Sequence, residues 1–407
     1  MVRVPHSSRR AAASLRLMGL LGAASLLAPA EAWAIPAFAR QFNVACSTCH
    51  APVPPRLNNL GIVFKRLGYR MPDADDPGRL VLREKPSRAL FDDFSLIGDF
   101  RGENSRGEPT AFALHEAEMM GAGAAGRRLS YSAQVAWEDG AFELEGLEGQ
   151  VLLGRPQANF TARFGLLAPL LWDKFGHQRL SVSQAPLAHN RVPAGEFVGY
   201  RLHGAQRGVE LGLNLTRLGA EGGAMRATFL AIGIYNGLTQ EGDDLVFEEN
   251  NSFKDVLIQA MHLWGDSNTI AALWYRGKAT DIGAEGFDDA YDRWALLGNY
   301  RLRSGTDILG GFSVGRDDTT VHEVGRITSR SWFLELNQAI AARTAAFVRY
   351  DRFEPNRSLA DATLRGPTVG ATHQVFDNLL LTAEYRGLRS GTGERGRDFV
   401  VRAIVIY

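Results

Sequence analysis

The chain has 407 residues, and its 45 basic side chains balance its 45 acidic ones, so no charge excess points to a nucleic-acid partner. Beyond the N-terminal export signal no stretch of about 18 apolar residues occurs, which excludes a further membrane helix. The 44 glycines and 22 phenylalanines recur inside short alternating segments, the composition of β-structure.

Residues 1–34 read as that signal. Arg3, Arg9, Arg10 and Arg16 precede the apolar run LMGLLGAASLLA, and Ala32-Trp33-Ala34 is a small-residue cleavage site. The run is too short to span a bilayer as a helix. The mature chain is therefore expected to begin near Ile35, outside the cytoplasm.

The next segment, residues 35–88, contains NVACSTCHAP with both cysteines of the chain. CxxCH is the attachment site of a c-type heme. Its spacing lets Cys46 and Cys49 form thioethers with two vinyl groups while His50 lies beneath the iron. A redox disulfide would need a βαβ context, and a zinc site would need further ligands close by; neither follows here. Met71, in LGYRMPD, is the other side chain of a usual axial type before the first strand near Phe91, and a thioether ligand raises the potential relative to a second histidine. The alternative makes Met71 a packing residue, with iron five-coordinate or ligated by water or a barrel side chain. A helix is predicted over RLNNLGIVFKRLGY, with Leu57, Leu60, Phe64 and Leu67 on one face. So short a segment buries little apolar surface alone, so the remaining walls around a heme must come from elsewhere in the chain.

Residues 89–407 fall into segments of alternating polarity separated by turns, as in outer-membrane strands. Val209, Leu211, Leu213 and Leu215 oppose Glu210 and Asn214. Ala346, Val348 and Tyr350 oppose Phe347, Arg349 and Asp351, and Leu379, Leu381, Ala383 and Tyr385 oppose Thr382, Glu384 and Arg386. Charges inward and apolar residues outward suit a lipid-facing wall. Connections alternate between long (Gly387–Gly396, Asp351–Thr363, Arg316–Ile327, Gly277–Ala290, Asn236–Ser252) and short (around 376–377, 341–342, 304–305, 266–267), the pattern of external loops and periplasmic turns. The last segment, DFVVRAIVIY, ends on an aromatic. Seventeen candidate strands would leave one terminus on the wrong side, so 167–205, including EFVGYRLH, is taken as one long loop folding into the pore. About 16 antiparallel strands result, enough for an aqueous lumen.

An export signal, one CxxCH, a helical linker and a barrel ending in an aromatic resemble the outer-membrane monoheme cytochrome–porin fusions of iron-oxidising bacteria. FARQFNVACSTCH followed by LGYRM resembles their cytochrome end, and the barrel resembles a phosphate-selective type of porin. The resemblance covers essentially the whole mature chain. It implies one covalent heme c on Cys46, Cys49 and His50, with Met71 as the candidate sixth ligand. It also implies electron transfer from an extracellular donor, Fe(II), to a periplasmic cytochrome or other carrier. Both termini would lie on the periplasmic side, with the short segment plugging the lumen.

Carboxylates are candidates for steering a hard cation. Alternation aims Glu116, Glu118, Glu143, Glu145, Glu210, Glu335 and Glu384 inward, beside arginines such as Arg163 and Arg349. Loops add Glu241, Asp243, Asp244, Glu248, Glu249, Glu285, Asp288, Asp289 and Asp292. The simpler reading makes these ordinary porin and loop charges. Parity puts His115 outward; His177, His189 and His203 fall in the inward loop, while His262, His322 and His373 lie elsewhere in the barrel or its loops. No catalytic acid–base pair or nucleophile stands out. The alternatives are a solute porin with the heme segment as plug or sensor, and a heme oxidoreductase for another external donor. Assembly as a homotrimer, as in many porins, is a further expectation.

Overall fold

The computed structural model describes residues 37–72, 80–81, 94–105, 110–138, 140–170, 175, 179–189, 193–194, 197–198, 205–217, 225–237, 239–241, 244–246, 253–282, 287–319 and 325–407. Sixteen strands close into one antiparallel barrel. In chain order they are β1 Phe94–Ser105, β2 Ala111–Ala125, β3 Leu129–Glu138, β4 Ala141–Arg155, β5 Ala158–Leu167, β6 Gln206–Arg217, β7 Arg226–Tyr235 and β8 Asp255–Trp264. The second half comprises β9 Asn268–Ile282, β10 Phe287–Arg301, β11 Thr306–Thr319, β12 Arg326–Ala341, β13 Thr344–Glu354, β14 Leu364–Phe376, β15 Leu379–Ser390 and β16 Arg395–Ile406. Each strand pairs with its sequence neighbours, and β16 closes on β1 from Asp398↔Ser105 to Ile406↔Ile97. Closure leaves no sheet edge unpaired, as a wall in lipid requires.

The predicted alternation is realised. Val209, Leu211, Leu230, Ile232, Leu334, Leu336, Val348, Leu381 and Tyr385 stand exposed on the outer surface, while Glu210, Arg349, Asp351 and Glu384 are buried inside. Among the described residues, 168–205 contribute no barrel strand, and β5 pairs directly with β6. Part of this loop is clamped in the lumen. Glu384 accepts from the backbone N–H of Val182 (2.6 Å) and Ser183 (3.1 Å), and Arg349 donates to Ser181 Oγ (2.7 Å) and the Ser183 carbonyl (3.0 Å).

One expectation about the strands is corrected. Strands run further than alternation indicated: β9 reaches Ile282 and β10 begins at Phe287, so Asp288, Asp289 and Asp292 belong to a strand, not to a loop spanning 277–290. The lumen, wide enough for water at this strand number, is filled on one side by apolar packing. Phe229, Leu257, Met261, Leu263, Leu273, Leu297, Leu309 and Phe333 are buried and form one cluster with Ile62, Val63 and Leu67 of the N-terminal segment and Leu170, Phe175 and Leu187 of the loop. Inward apolar side chains on a strand are stable only if something covers them. Here the covering groups come from these two inserted segments.

The N-terminal segment carries helices α1 (Ala37–Phe42) and α2 (Asn59–Arg66); the inserted loop adds α3 (Pro186–His189). Asn58 caps α2 by accepting from Gly61 N (2.9 Å), and Gly68, at φ +66°, ends it in a left-handed turn. The predicted stripe of Leu57, Leu60, Phe64 and Leu67 is only part of the buried surface. Asn59, Ile62 and Val63 are fully enclosed within α2, because the helix is surrounded rather than laid on a core.

Candidate functional site: the cysteine turn and the carboxylates of the lumen

Cys46–Thr48 form a 3₁₀ turn, and the backbone N–H groups of Cys49 (3.1 Å) and His50 (2.9 Å) both donate to the Cys46 carbonyl. This turn holds the two cysteines and the histidine together, and both thiols are free. His50 Nδ1 lies 3.0 Å from the Pro55 carbonyl. A carbonyl only accepts, so the proton is on Nδ1 and Nε2 keeps its lone pair. Metal-bound histidines are oriented by this kind of second bond. Burial lowers the His50 pKa against the opposing pull of the Pro55 and Arg56 backbone, keeping the imidazole in its neutral, ligating form. Burial, with Cys46 beside it, pushes the Cys49 thiol up to about 11.

These three residues fit a c-type heme: two cysteines in no disulfide and an imidazole oriented through its Nδ1. The sequence reading missed Pro55, since only the folded turn brings its carbonyl back to His50. Gly61 is equally specific to the fold. A Cβ there would meet the Cys49 carbonyl oxygen at 2.5 Å, so a side chain would push the turn off α2.

Residues 40–70 of the segment are moored to the short-turn end of the barrel. Asn59 Nδ2 donates to the carbonyls of Trp264 (3.1 Å), Gly265 (2.9 Å) and Asn268 (3.1 Å) in the β8–β9 turn. Arg56, which is 0 % exposed, donates to Asn299 Oδ1 (3.0 Å), and Arg70 donates to the carbonyls of Gly126 and Leu129 (both 2.7 Å). Arg40 sits over the ring of Tyr407, 5.6 Å from its centroid, and donates to the Phe94 carbonyl, so α1 and the last strand meet at this rim. Phe38, Phe42, Phe64 and Tyr69 form an aromatic group joining α1 to α2.

Met71 opens a two-residue strand paired with Leu80–Val81. Its neighbour Arg70 is fixed at the β2–β3 turn, whereas Cys46 has Arg343 and Asp377, of the β12–β13 and β14–β15 turns, as charged neighbours. The anchors of Met71 and of the cysteine turn thus lie in different sectors of the rim.

The lumen carboxylates divide into two kinds. Glu210, Glu335 and Glu384 are buried and engaged. Arg163 bridges Glu210 (2.6 Å) and Glu148 (2.7 Å); Glu335 pairs with Arg349 (3.5 Å); and Glu384 holds the loop. Along β1–β4, Asp99 is buried and paired with Arg101 and Arg402, while Glu116, Glu118 and Glu145 are only half-buried. Asp99, His115 and Glu116 each bring one donor atom within 4.8 Å of the others, and so do Glu116, Glu118 and Glu145. Glu143 is exposed at the loop end of the same wall.

His115 corrects the expectation that it faces outward. Asp99 pairs with Glu116 and Phe100 with Leu114, leaving His115 as the extra residue of a β-bulge, which turns it to the lumen side beside Asp99. A second bulge at Glu145, between the pairs Gln134↔Gly146 and Val135↔Leu144, shifts parity so that Glu148 points inward to Arg163. Simple alternation from Glu143 and Glu145 places Glu148 outside, and so it was missed. His262 is engaged with Thr228 and stacks on Trp264, and His373 is engaged with Thr344. His177, His203, His322, the side chain of His189, and Asp243, Glu248, Glu249 and Glu285 lie outside the described residues. Glu241 and Asp244 pair in a short hairpin.

No family model matches the chain, and no curated protein matches it. Solved structures do. An anion-selective porin from Comamonas acidovorans is 13% identical with a TM-score of 0.55, covering 77% of this chain and 98% of its own. OmpF of Salmonella typhi, in complex with daunomycin, is 10% identical at 0.53, covering 77% and 97%. OmpT, an outer membrane protein of Vibrio cholerae in trimer form, is 14% identical at 0.50, covering 77% and 98%. The chain therefore has the fold of an outer-membrane porin.

Proposed function

We propose that this chain is an outer-membrane electron-transfer protein: a porin-type barrel whose N-terminal segment carries one covalent heme c. The observation that carries this reading is the turn itself, with two free thiols and an imidazole whose Nδ1 is tied to Pro55. Cys46 and Cys49 would hold the heme as thioethers and His50 would ligate its iron; Met71, anchored in a different sector of the rim, is the candidate further ligand. A bound heme supplies one-electron redox chemistry. The donor is extracellular, with Fe(II) as the favoured substrate, and the acceptor is a periplasmic cytochrome or similar carrier.

The protein's own groups have distinct parts in this. The moorings of Asn59, Arg56 and Arg70 keep the segment at the short-turn rim, taken here as the periplasmic side, where a soluble carrier would reach it. Packing of α2 and the inserted loop against Phe229, Leu257 and Phe333 excludes water from that half of the lumen. A cavity between Arg56, Arg179, Glu335 and Arg349 of about 20 Å³ has room for little more than one water molecule. The half-buried acids of β1–β4 and the rim of the loops would concentrate a divalent cation from outside.

The porin likeness favours a second reading: a channel for small solutes, with the heme segment as plug or sensor and assembly as a homotrimer. A heme enzyme for a different external donor is the third. Purified protein should show a c-type pyridine hemochrome with one heme per chain, and His50→Ala should abolish the native Soret spectrum. Rapid mixing with Fe(II) should reduce the heme, and a periplasmic cytochrome should reoxidise it. Absence of heme sinks the electron-transfer reading. Heme that Fe(II) leaves oxidised removes iron as donor, and solute flux unaffected by His50→Ala supports the porin.

A further inference from the structure

The packed half of the lumen contains one carboxylate pair that its surroundings do not satisfy. Asp289 on β10 is 1 % exposed and Asp317 on β11 is 0 % exposed. Both face inward near the loop end, where Tyr291 pairs with Asp317 and Asp289 with Thr319 across the two strands. Their carboxyl groups lie within hydrogen-bonding reach of each other. Arg293 binds one Asp317 oxygen and donates also to the backbone carbonyls of Asp292 (3.2 Å) and Arg316 (2.9 Å). Outside this pair, no described residue donates to the other Asp317 oxygen or to either Asp289 oxygen, and all three are buried.

Other buried acids of this wall are supplied with donors. Glu210 has Arg163 and Tyr235, Asp255 has the hydroxyls of Tyr275 and Tyr291, and Asp351 has Arg349. Two ionised carboxylates cannot donate to each other, and one arginine leaves the trio with a net negative charge. Buried charge of this kind is retained only if something neutralises it. The neutraliser, a shared proton or a bound cation, must fit between the two carboxyl groups.

We propose that Asp289 and Asp317 bind one hard divalent cation at the loop end of the lumen. Converging carboxylate oxygens with no sulfur or imidazole select the oxygen-seeking ions, Mg²⁺, Ca²⁺, Mn²⁺ and Fe²⁺, over softer metals. The ion bridges β10 and β11 and completes its shell with water. This site stands on the barrel wall alone and holds whether or not the chain carries heme.

The test uses the full-length protein purified in detergent, stripped with chelator, and titrated with Mn²⁺ followed by electron paramagnetic resonance. One Mn²⁺ equivalent is expected in the native protein, weakened at least tenfold by Asp289→Asn and by Asp317→Asn. Cation held at the acids of β1–β4 would survive both substitutions. Asparagine removes charge without changing shape, so both variants should melt no lower than the chelator-treated native barrel. Crystals of the native protein soaked in Mn²⁺ give a readout independent of the variants: an anomalous peak between the two carboxylates is expected. An isotherm unchanged by both substitutions overturns the proposal. So does the absence of the peak, or an infrared band of a protonated carboxylic acid, assigned to this pair by its loss in Asp289→Asn, that persists under saturating Mn²⁺.

Discussion

The two sides of the lumen are built on different principles. From β5 to β15 inward positions are buried, and large apolar residues such as Leu257 and Phe333 meet the N-terminal segment and the inserted loop. From β1 to β4 the inward face carries three half-buried acids, Glu116, Glu118 and Glu145, side by side. A packed wall must match every buried charge to a donor or cation, because water cannot do so. An acidic wall in contact with water can hold like charges close together and present them to a passing ion. The same barrel thus combines a docking surface with a cluster of neighbouring carboxylates.

Breaking a matched pair on the packed wall should have the largest effect. Arg163→Ala leaves Glu148 and Glu210 buried without their counter-ion and should cost about 3–5 kcal/mol, read as a fall in the urea midpoint. Substitution on the outer face should ignore the difference between the walls. Leu211→Lys on β6 and Leu147→Lys on β4, both exposed outward, should each lose about 2–4 kcal/mol near the bilayer midplane, and unequal losses at equal depth would break the comparison.

Smaller effects test the docking surface. Asn59→Ala removes the bonds to Trp264, Gly265 and Asn268 and should weaken mooring by about 1–3 kcal/mol. Its signature is raised conductance in planar bilayers with an unchanged barrel melting temperature. The smallest change in stability belongs to the acidic wall. Glu145→Gln should alter stability by no more than about 0.5 kcal/mol while lowering cation preference in reversal-potential measurements on the Asn59→Ala background.

Most of the wall was legible in the primary structure. Alternation in QRGVELGLNLT assigned Glu210 to the inside and Leu211 to the outside because a strand repeats every two residues, and nothing tertiary alters that period. The two bulges are where that logic failed. One extra residue at His115 and one at Glu145 reverse parity locally, and no composition signal marks them. Of the candidate site, Cys46, Cys49 and His50 were visible as a contiguous motif. Pro55 was not, because its role depends on a turn that returns the chain to His50.

The order of residues alone determined a barrel of about sixteen strands, its inward and outward faces, and a motif suited to one heme, since these follow from short-range period and spacing. Only the tertiary structure decided that the lumen is filled on one side, that Asn59 and Arg56 moor the segment, and that Asp289 and Asp317 meet as a buried pair. Those depend on residues some 30 to 250 positions apart, whose proximity arises from barrel closure and from two segments folding into it.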